Sequence, residues 1–251
     1  MSESPITPSK PSAGRVAGAW AKEIAIVVVG ALVASTLLRL FVAQMFVIPS
    51  GSMENTLQIR DRVMVQKVAG WSRGDIVVFR DTQGWLADPV EETDPLRKTL
   101  IFIGLAPDES SNHLIKRVIG LPGDHVKCCD AQGRITVNGQ PLEEAGYLYA
   151  ENGQAVAPSD FSFDVVVPKD RIWVMGDHRD NSQDSRCHLT EGTGGSAAFV
   201  PTADVVGSAV AIVYPFDRWR TLSRPATFDQ VPGPTAAAPD KPVIVGDPPA
   251  C

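Results

Sequence analysis

A chain of 251 residues with 44% hydrophobic residues is long enough for one large or two small domains around a sizeable core. Its net charge of −6 argues against a broad nucleic-acid surface. The four cysteines, Cys128, Cys129, Cys187 and Cys251, form no C-x-x-C pair, which argues against a zinc site, while 21 Gly and 20 Pro favour a loop-rich β protein over a helical one.

Residues 1–19 are rich in Ser, Pro, Ala and Gly and read as a disordered tail. Ile24 to Leu38 then runs without a charge, Arg39 interrupts, and Leu40 to Ile48 resumes apolar with Gln44 as the one polar residue. The uncharged stretch alone covers about 22 Å of helix against a hydrocarbon core of roughly 30 Å. Snorkelling of Arg39 lengthens the usable span, so residues 20–43 are expected to form a transmembrane signal anchor. A buried soluble helix and a cleaved signal peptide are the alternatives, and the exit region Phe41 to Phe46 lacks a small-x-small cleavage site. Lys10, Arg15 and Lys22 precede the segment, which predicts a cytoplasmic N-terminus and an extracytoplasmic remainder.

From residue 56 the apolar period changes to two. Strands are expected over Asp61–Val68, Ile76–Phe79, His113–Ile119, Gly133–Val137 with an Asn138-Gly139 hairpin turn, Phe161–Val167, Arg171–Met175 and Val205–Tyr214. The acidic stretch 80–112 reads as a loop-like insert, longer than an ordinary connection. Beyond Arg224 the composition collapses to Pro, Ala, Gly and Thr and predicts a flexible tail over 225–251. If the region lies outside the cytoplasm, Cys187 is expected to pair with Cys128 or Cys129, free buried thiols being the alternative.

Three stretches combine into chemistry. Ile48-Pro49-Ser50-Gly51-Ser52-Met53 places hydroxyls on a tight turn, where a nucleophile is both exposed and pinned. The histidines, His113, His125, His178 and His188, sit in no motif that pairs them with a serine. Lysine is the other available base, provided that it is neutral, and Lys116 lies in an apolar strand whose covered faces would lower its pKa. Arg117 cannot serve as the base but adds a like-charge push on its neighbour. The third stretch, Met175 to Arg186, interleaves acids, bases, hydroxyls and an amide, and reads as a supporting shell or a solvated loop.

Pro49-Ser50-Gly51-Ser52-Met53, Asp61-Arg62-Val63, Lys116-Arg117-Val-Ile-Gly120-Leu-Pro-Gly123-Asp124 and the loop Gly176 to Arg186 resemble, in order, the boxes of bacterial type I signal peptidases (leader peptidases), in an actinobacterial style. The resemblance runs from the anchor to about Pro215. It implies a mainly β fold: a single transmembrane helix followed by an antiparallel β-sheet catalytic domain over 44–224, with a smaller β insertion over 125–170. It also implies a serine endopeptidase that removes signal peptides from exported preproteins after a small-x-small site. Ser52 matches the nucleophile and Lys116 the general base. Ser50 matches the side-chain oxyanion donor and Ser182 the serine that orients the lysine. Asp184 and Arg186 match a bracing ion pair, and Phe46, Ile48, Met53, Leu57 and Ile115 match the substrate pockets. His178 departs from the family, which often has Asn there. No metal or organic cofactor is implied; the partners are preprotein signal peptides and the lipid bilayer, with no nucleic acid, and the protein is expected to be a monomer in the cytoplasmic membrane. The rival readings are a Ser-Lys self-cleaving repressor, which would need a DNA-binding segment, and a membrane-anchored binding protein on an inactive peptidase scaffold.

Overall fold

The computed structural model describes residues 13–86, 94–96, 112–246 and 251. Two compact units divide at Phe41/Val42. The first is built on one α-helix, α1 (Ala13–Phe41). Its Trp20–Phe41 portion, 22 residues, is long and apolar enough to cross a membrane, and none of its residues is buried within the protein. At the usual helical rise this is about 33 Å. The helix begins earlier than expected, so residues 13–19 belong to it rather than to a disordered tail; the first twelve residues lie outside those described.

The second unit is antiparallel β throughout. Its strands in chain order are β1 (Ala43–Val47), β2 (Arg62–Gln66), β3 (Ile76–Arg80), β4 (His113–Gly120), β5 (His125–Cys128), β6 (Ile135–Val137) and β7 (Gln140–Pro141). There follow β8 (Ala150–Glu151), β9 (Gln154–Ala155), β10 (Phe163–Val166), β11 (Arg171–Met175), β12 (Val200–Pro201), β13 (Val205–Tyr214), β14 (Arg220–Thr221) and β15 (Val243–Ile244). The larger sheet has the order β1-β2-β13-β3-β4-β11-β12, with β14 attached to β13. A second sheet, β15-β10-β5-β6-β7, draws most of its strands from the expected insertion, and β8 and β9 form a separate hairpin.

Local pattern accounts for most of these strands. In β2 Val63 and Val65 point inward and are fully buried, while Arg62 and Met64 face outward, as period-two alternation requires. The Asn138-Gly139 turn has positive φ at both residues, 53° and 79°, which fits the favoured two-residue hairpin connection between β6 and β7. β4 is buried from Ile115 to Gly120, so the expectation that both of its faces are covered holds for Lys116 and Arg117 alike.

One strand was not expected and two further expectations change. The unexpected strand is β1, Ala43–Val47, which starts at the last residue of the expected anchor (20–43) and runs into the catalytic domain as an edge strand paired with β2, with Phe46 opposite Val63. The alternation around Gln44 was hidden by the apolar residues that flank it. The stretch 225–251 is not a free tail over its described length. Phe228 and Val231 are buried in the core that also holds Trp173, Val126 and Leu142, and β15 adds to the edge of β10. Breaker-rich composition removes helices and long strands, but it does not prevent single apolar side chains from docking. Cysteine pairing also differs: Cys187 bonds Cys251, and Cys128 bonds Cys129. Most of the acidic insert, residues 87–93 and 97–111, lies outside the described residues. At its root Asp81 accepts hydrogen bonds from the backbone N–H groups of Gln83, Gly84 and Leu86, and Asn112 bonds the Asp81 backbone.

Because Phe228 is 3% exposed within that core, Phe228→Ala should cost about 3–5 kcal/mol of stability. Denaturant unfolding of the detergent-solubilised protein measures this, and an unchanged midpoint would mean that the segment does not pack.

Candidate active site

The turn after Pro49 is one 3-10 turn, Gly51–Met53, entered from Ser50 in an extended conformation. Ile48 is tied on both sides, donating its N–H to Asp61 and accepting from Arg60. Met53 accepts from Leu57, and Met53 and Leu57 themselves are fully buried beneath the turn, beside Ile48, Val63 and Ile115. The hydrophobic anchors thus leave the Ser52 hydroxyl fixed relative to β4.

Lys116 of β4 brings Nζ to 2.5 Å from Ser52 Oγ. Both residues are buried, Lys116 to 3% exposure and Ser52 to 6%. Burial lowers the lysine pKa to about 8, because a charged ammonium loses its hydration there; Asp184 opposes that shift, Arg186 reinforces it, and Asp177 opposes it. The like-charge neighbour that matters is therefore Arg186, not Arg117. Arg117 instead forks onto Asp177, at 2.7 Å from Nε to Oδ1 and 2.5 Å from the terminal nitrogen to Oδ2. Ser50 is exposed, with Oγ 3.4 Å from Ser52 Oγ.

The loop after β11 closes around this pair. Asp184 is fully buried and held by Arg186 through two contacts of 2.9 Å, and it also accepts from the Gly176 N–H at 3.0 Å. The paired guanidinium and these hydrogen bonds keep the Asp184 carboxyl below the usual range despite burial, which acts in the opposite direction. Ser182 does not bond Lys116: its Oγ is buried without a hydrogen-bond partner among the described residues. It occupies the space over Gly176, where an added Cβ would meet Ser182 Oγ at 2.3 Å and the Ser52 carbonyl at 2.4 Å. Glycine is required there by close approach, since the loop and the Ser52 turn both rest on its Cα.

Of the five expected pocket residues, Phe46, Ile48 and Ile115 line a mostly apolar cleft of about 410 Å³ with Pro49, Val78 and Leu114, and Arg60 and His113 also border it. Met53 and Leu57 do not line it; they form the packing behind the turn. Several contributors were not anticipated. Asp177 also accepts from Thr56 Oγ1 at 2.5 Å. Arg179 binds the Glu144 carboxylate, and Glu144 accepts from the Tyr147 hydroxyl. The Tyr147 ring in turn lies 4.4 Å from the Arg117 guanidinium. The Gly176-Asp177 dipeptide carried a signal for one of them, but Glu144 and Tyr147 sit in the insertion, with no local pattern to mark them. Among the described residues no cluster of three or more His, Cys, Asp or Glu side chains has metal-binding geometry.

Arranged this way, a serine hydroxyl faces a buried amine whose pKa is lowered enough to reach its neutral form near pH 8, beside a mostly apolar cleft, the chemistry required for acyl transfer. The family model described as signal peptidase, peptidase S26, matches residues 20–214. A signal peptidase I from Mycobacterium tuberculosis is 37% identical over 221 residues, 79% of this chain and 74% of that one. The signal peptidase I of Leptolyngbya laminosa is 34% identical over 196 residues, 76% of this chain and 78% of the other. Signal peptidase I P of Bacillus subtilis subsp. natto is 31% identical over 210 residues, with 80% and 91% covered. With a family match over most of its length and relatives above 30% identity, this chain belongs to the signal peptidase family, peptidase S26.

Proposed function

We propose that the protein is a membrane-anchored serine endopeptidase that removes signal peptides from exported preproteins after a small-x-small site. The observation that carries this reading is the 2.5 Å contact between Ser52 Oγ and a buried lysine whose pKa is lowered to about 8. Neither rival is favoured: the matched family is a peptidase family, and its match begins within the apolar helix rather than at a DNA-binding segment.

Neutral Lys116 accepts the Ser52 proton as Oγ attacks the scissile carbonyl, giving a tetrahedral oxyanion. Ser50 Oγ and the Ser52 backbone N–H donate to that oxyanion. The ammonium of Lys116 then gives its proton to the leaving amine, and the C–N bond breaks to leave an acyl-Ser52 ester. The same lysine takes a proton from water, hydroxide adds to the ester, and Ser52 Oγ leaves and is reprotonated. The family resemblance gives Ser182 the role of orienting Lys116, although its hydroxyl is buried without a hydrogen-bond partner among the described residues. Asp184 and Arg186 hold the loop.

The preprotein binds extended beside β1, an edge strand whose one strand neighbour among the described residues is β2. Alternate side chains enter the cleft walled by Phe46, Ile48 and Ile115, and its apolar lining suits small residues. Helix α1 crosses the bilayer with the N-terminus in the cytoplasm, and the monomeric β unit works outside, where signal sequences emerge.

Three outcomes are expected. Ser52→Ala and Lys116→Met should each lower cleavage of a purified preprotein by at least about 10⁴-fold in detergent without unfolding the protein; full activity in both would discard the mechanism. The rate kcat/KM should rise about tenfold per pH unit from acid and level off above about pH 8, because the neutral lysine is the active form and protonation removes it. A pH profile flat across that range counts against Lys116 as base. Gly176→Ala should reduce kcat about 10²-fold, since the new methyl must displace the Ser52 carbonyl or Ser182, and steady-state kinetics read it directly.

A further inference from the structure

His178 takes no part in the proton transfers above, yet it touches the Ser52 turn through both its backbone and its ring. Its backbone N–H donates to the Ser52 carbonyl at 3.1 Å. Its ring Nδ1 lies 3.2 Å from the Gly51 carbonyl and 3.0 Å from Glu54 Oε2. Both of those atoms are acceptors, so Nδ1 must carry a hydrogen and share it between them. The ring is largely buried and stacks on Tyr149 of the insertion, with centroids 3.8 Å apart and planes 24° from parallel. Nε2 faces Asp180 Oδ1 at 3.3 Å. The groups around the ring are therefore Gly51 and Glu54 from the turn, Asp180 from its own loop and Tyr149 from the insertion.

These contacts embrace the nucleophile. Gly51 and Glu54 flank Ser52 and Met53, and Glu54 folds back so closely that a Cβ on Gly51 would meet its carboxylate at 2.8 Å. A carbonyl held on each of two successive residues, Gly51 by the ring and Ser52 by the backbone, fixes the rotation of the peptide unit between them. That rotation sets where Ser52 Oγ and its N–H point.

We propose that His178 is a positioning residue that locks the Gly51–Glu54 turn, and with it the attacking angle of Ser52, through its Nδ1–H. The proposal rests on the reading of Ser52 as nucleophile. Asparagine carries a nitrogen at the same bond separation from Cα as Nδ1, so it can keep the donor while losing the stack. Phenylalanine keeps the stack and loses the donor, and leucine loses both.

The test is steady-state cleavage of a preprotein by the full-length protein in detergent, with thermal unfolding measured alongside. His178→Phe and His178→Leu should lower kcat about 10- to 100-fold with KM within about threefold, and His178→Asn should stay within about threefold of the parent in both. Melting temperatures of Asn and Phe variants that differ little, while their kcat values differ strongly, support positioning over mere packing. Wild-type kcat in the Phe variant, an Asn variant as damaged as Leu, or a loss that tracks the melting temperature overturns it. Ser52→Ala in the same assay separates the two readings: retained activity there removes the nucleophile assignment whatever His178 does.

Discussion

Everything at this site depends on keeping one lysine dry. Lys116 is buried beside two carboxylates, Asp184 and Asp177, and each raises its pKa. Desolvation nonetheless outweighs them, and the arrangement of the arginines explains how. Asp184 is bound by Arg186, and Asp177 by Arg117, each through two nitrogens. A carboxylate already committed to a guanidinium presents little net field to a third group. The acids therefore serve to hold the backbone of the loop, as in the bond from the Gly176 N–H to Asp184, without recharging the base. Removing either arginine would release a carboxylate toward Lys116 and leave a buried charge unpaired.

The same logic extends outward. Arg117 lies over the Tyr147 ring, Tyr147 donates to Glu144, and Glu144 holds Arg179. Arg179 donates to the Gly176 carbonyl and to Pro158. This series of contacts thus links the insertion to Gly176 and Arg179 at the start of the catalytic loop. Tyr149, stacked on His178, is a further contact from the insertion to the catalytic loop. The insertion is structurally part of the site's support, although it supplies none of the reacting groups.

Legibility in the sequence varied with the range of the interaction. Arg171–Met175 and Val205–Tyr214 were readable to the residue, because a strand's period-two pattern is carried by adjacent positions. β1 was missed because Phe41 to Ile48 is apolar almost throughout, and nothing local distinguishes an edge strand from the exit of the anchor there. Met53 and Leu57 were expected in the pocket but lie behind the turn, packed with Ile48, Val63 and Ile115. Ser182 was expected to orient Lys116, but its hydroxyl rests over Gly176, where the Ser52 carbonyl also packs, and has no partner among the described residues.

By itself the sequence determined the apolar N-terminal helix, the antiparallel β character, and the residues whose types permit a serine–lysine reaction. Those properties follow from local periodicity and from the spacing of a few motifs. The tertiary structure alone decided which arginine answers which aspartate, that Cys187 takes Cys251 as its partner, that Phe228 leaves a proline-rich segment to enter the core, and that His178 grips the nucleophile turn. Each is a pairing between side chains distant along the chain or turned by a loop. Side-chain type says that a partner is needed, but only the folded backbone brings one within 3 Å.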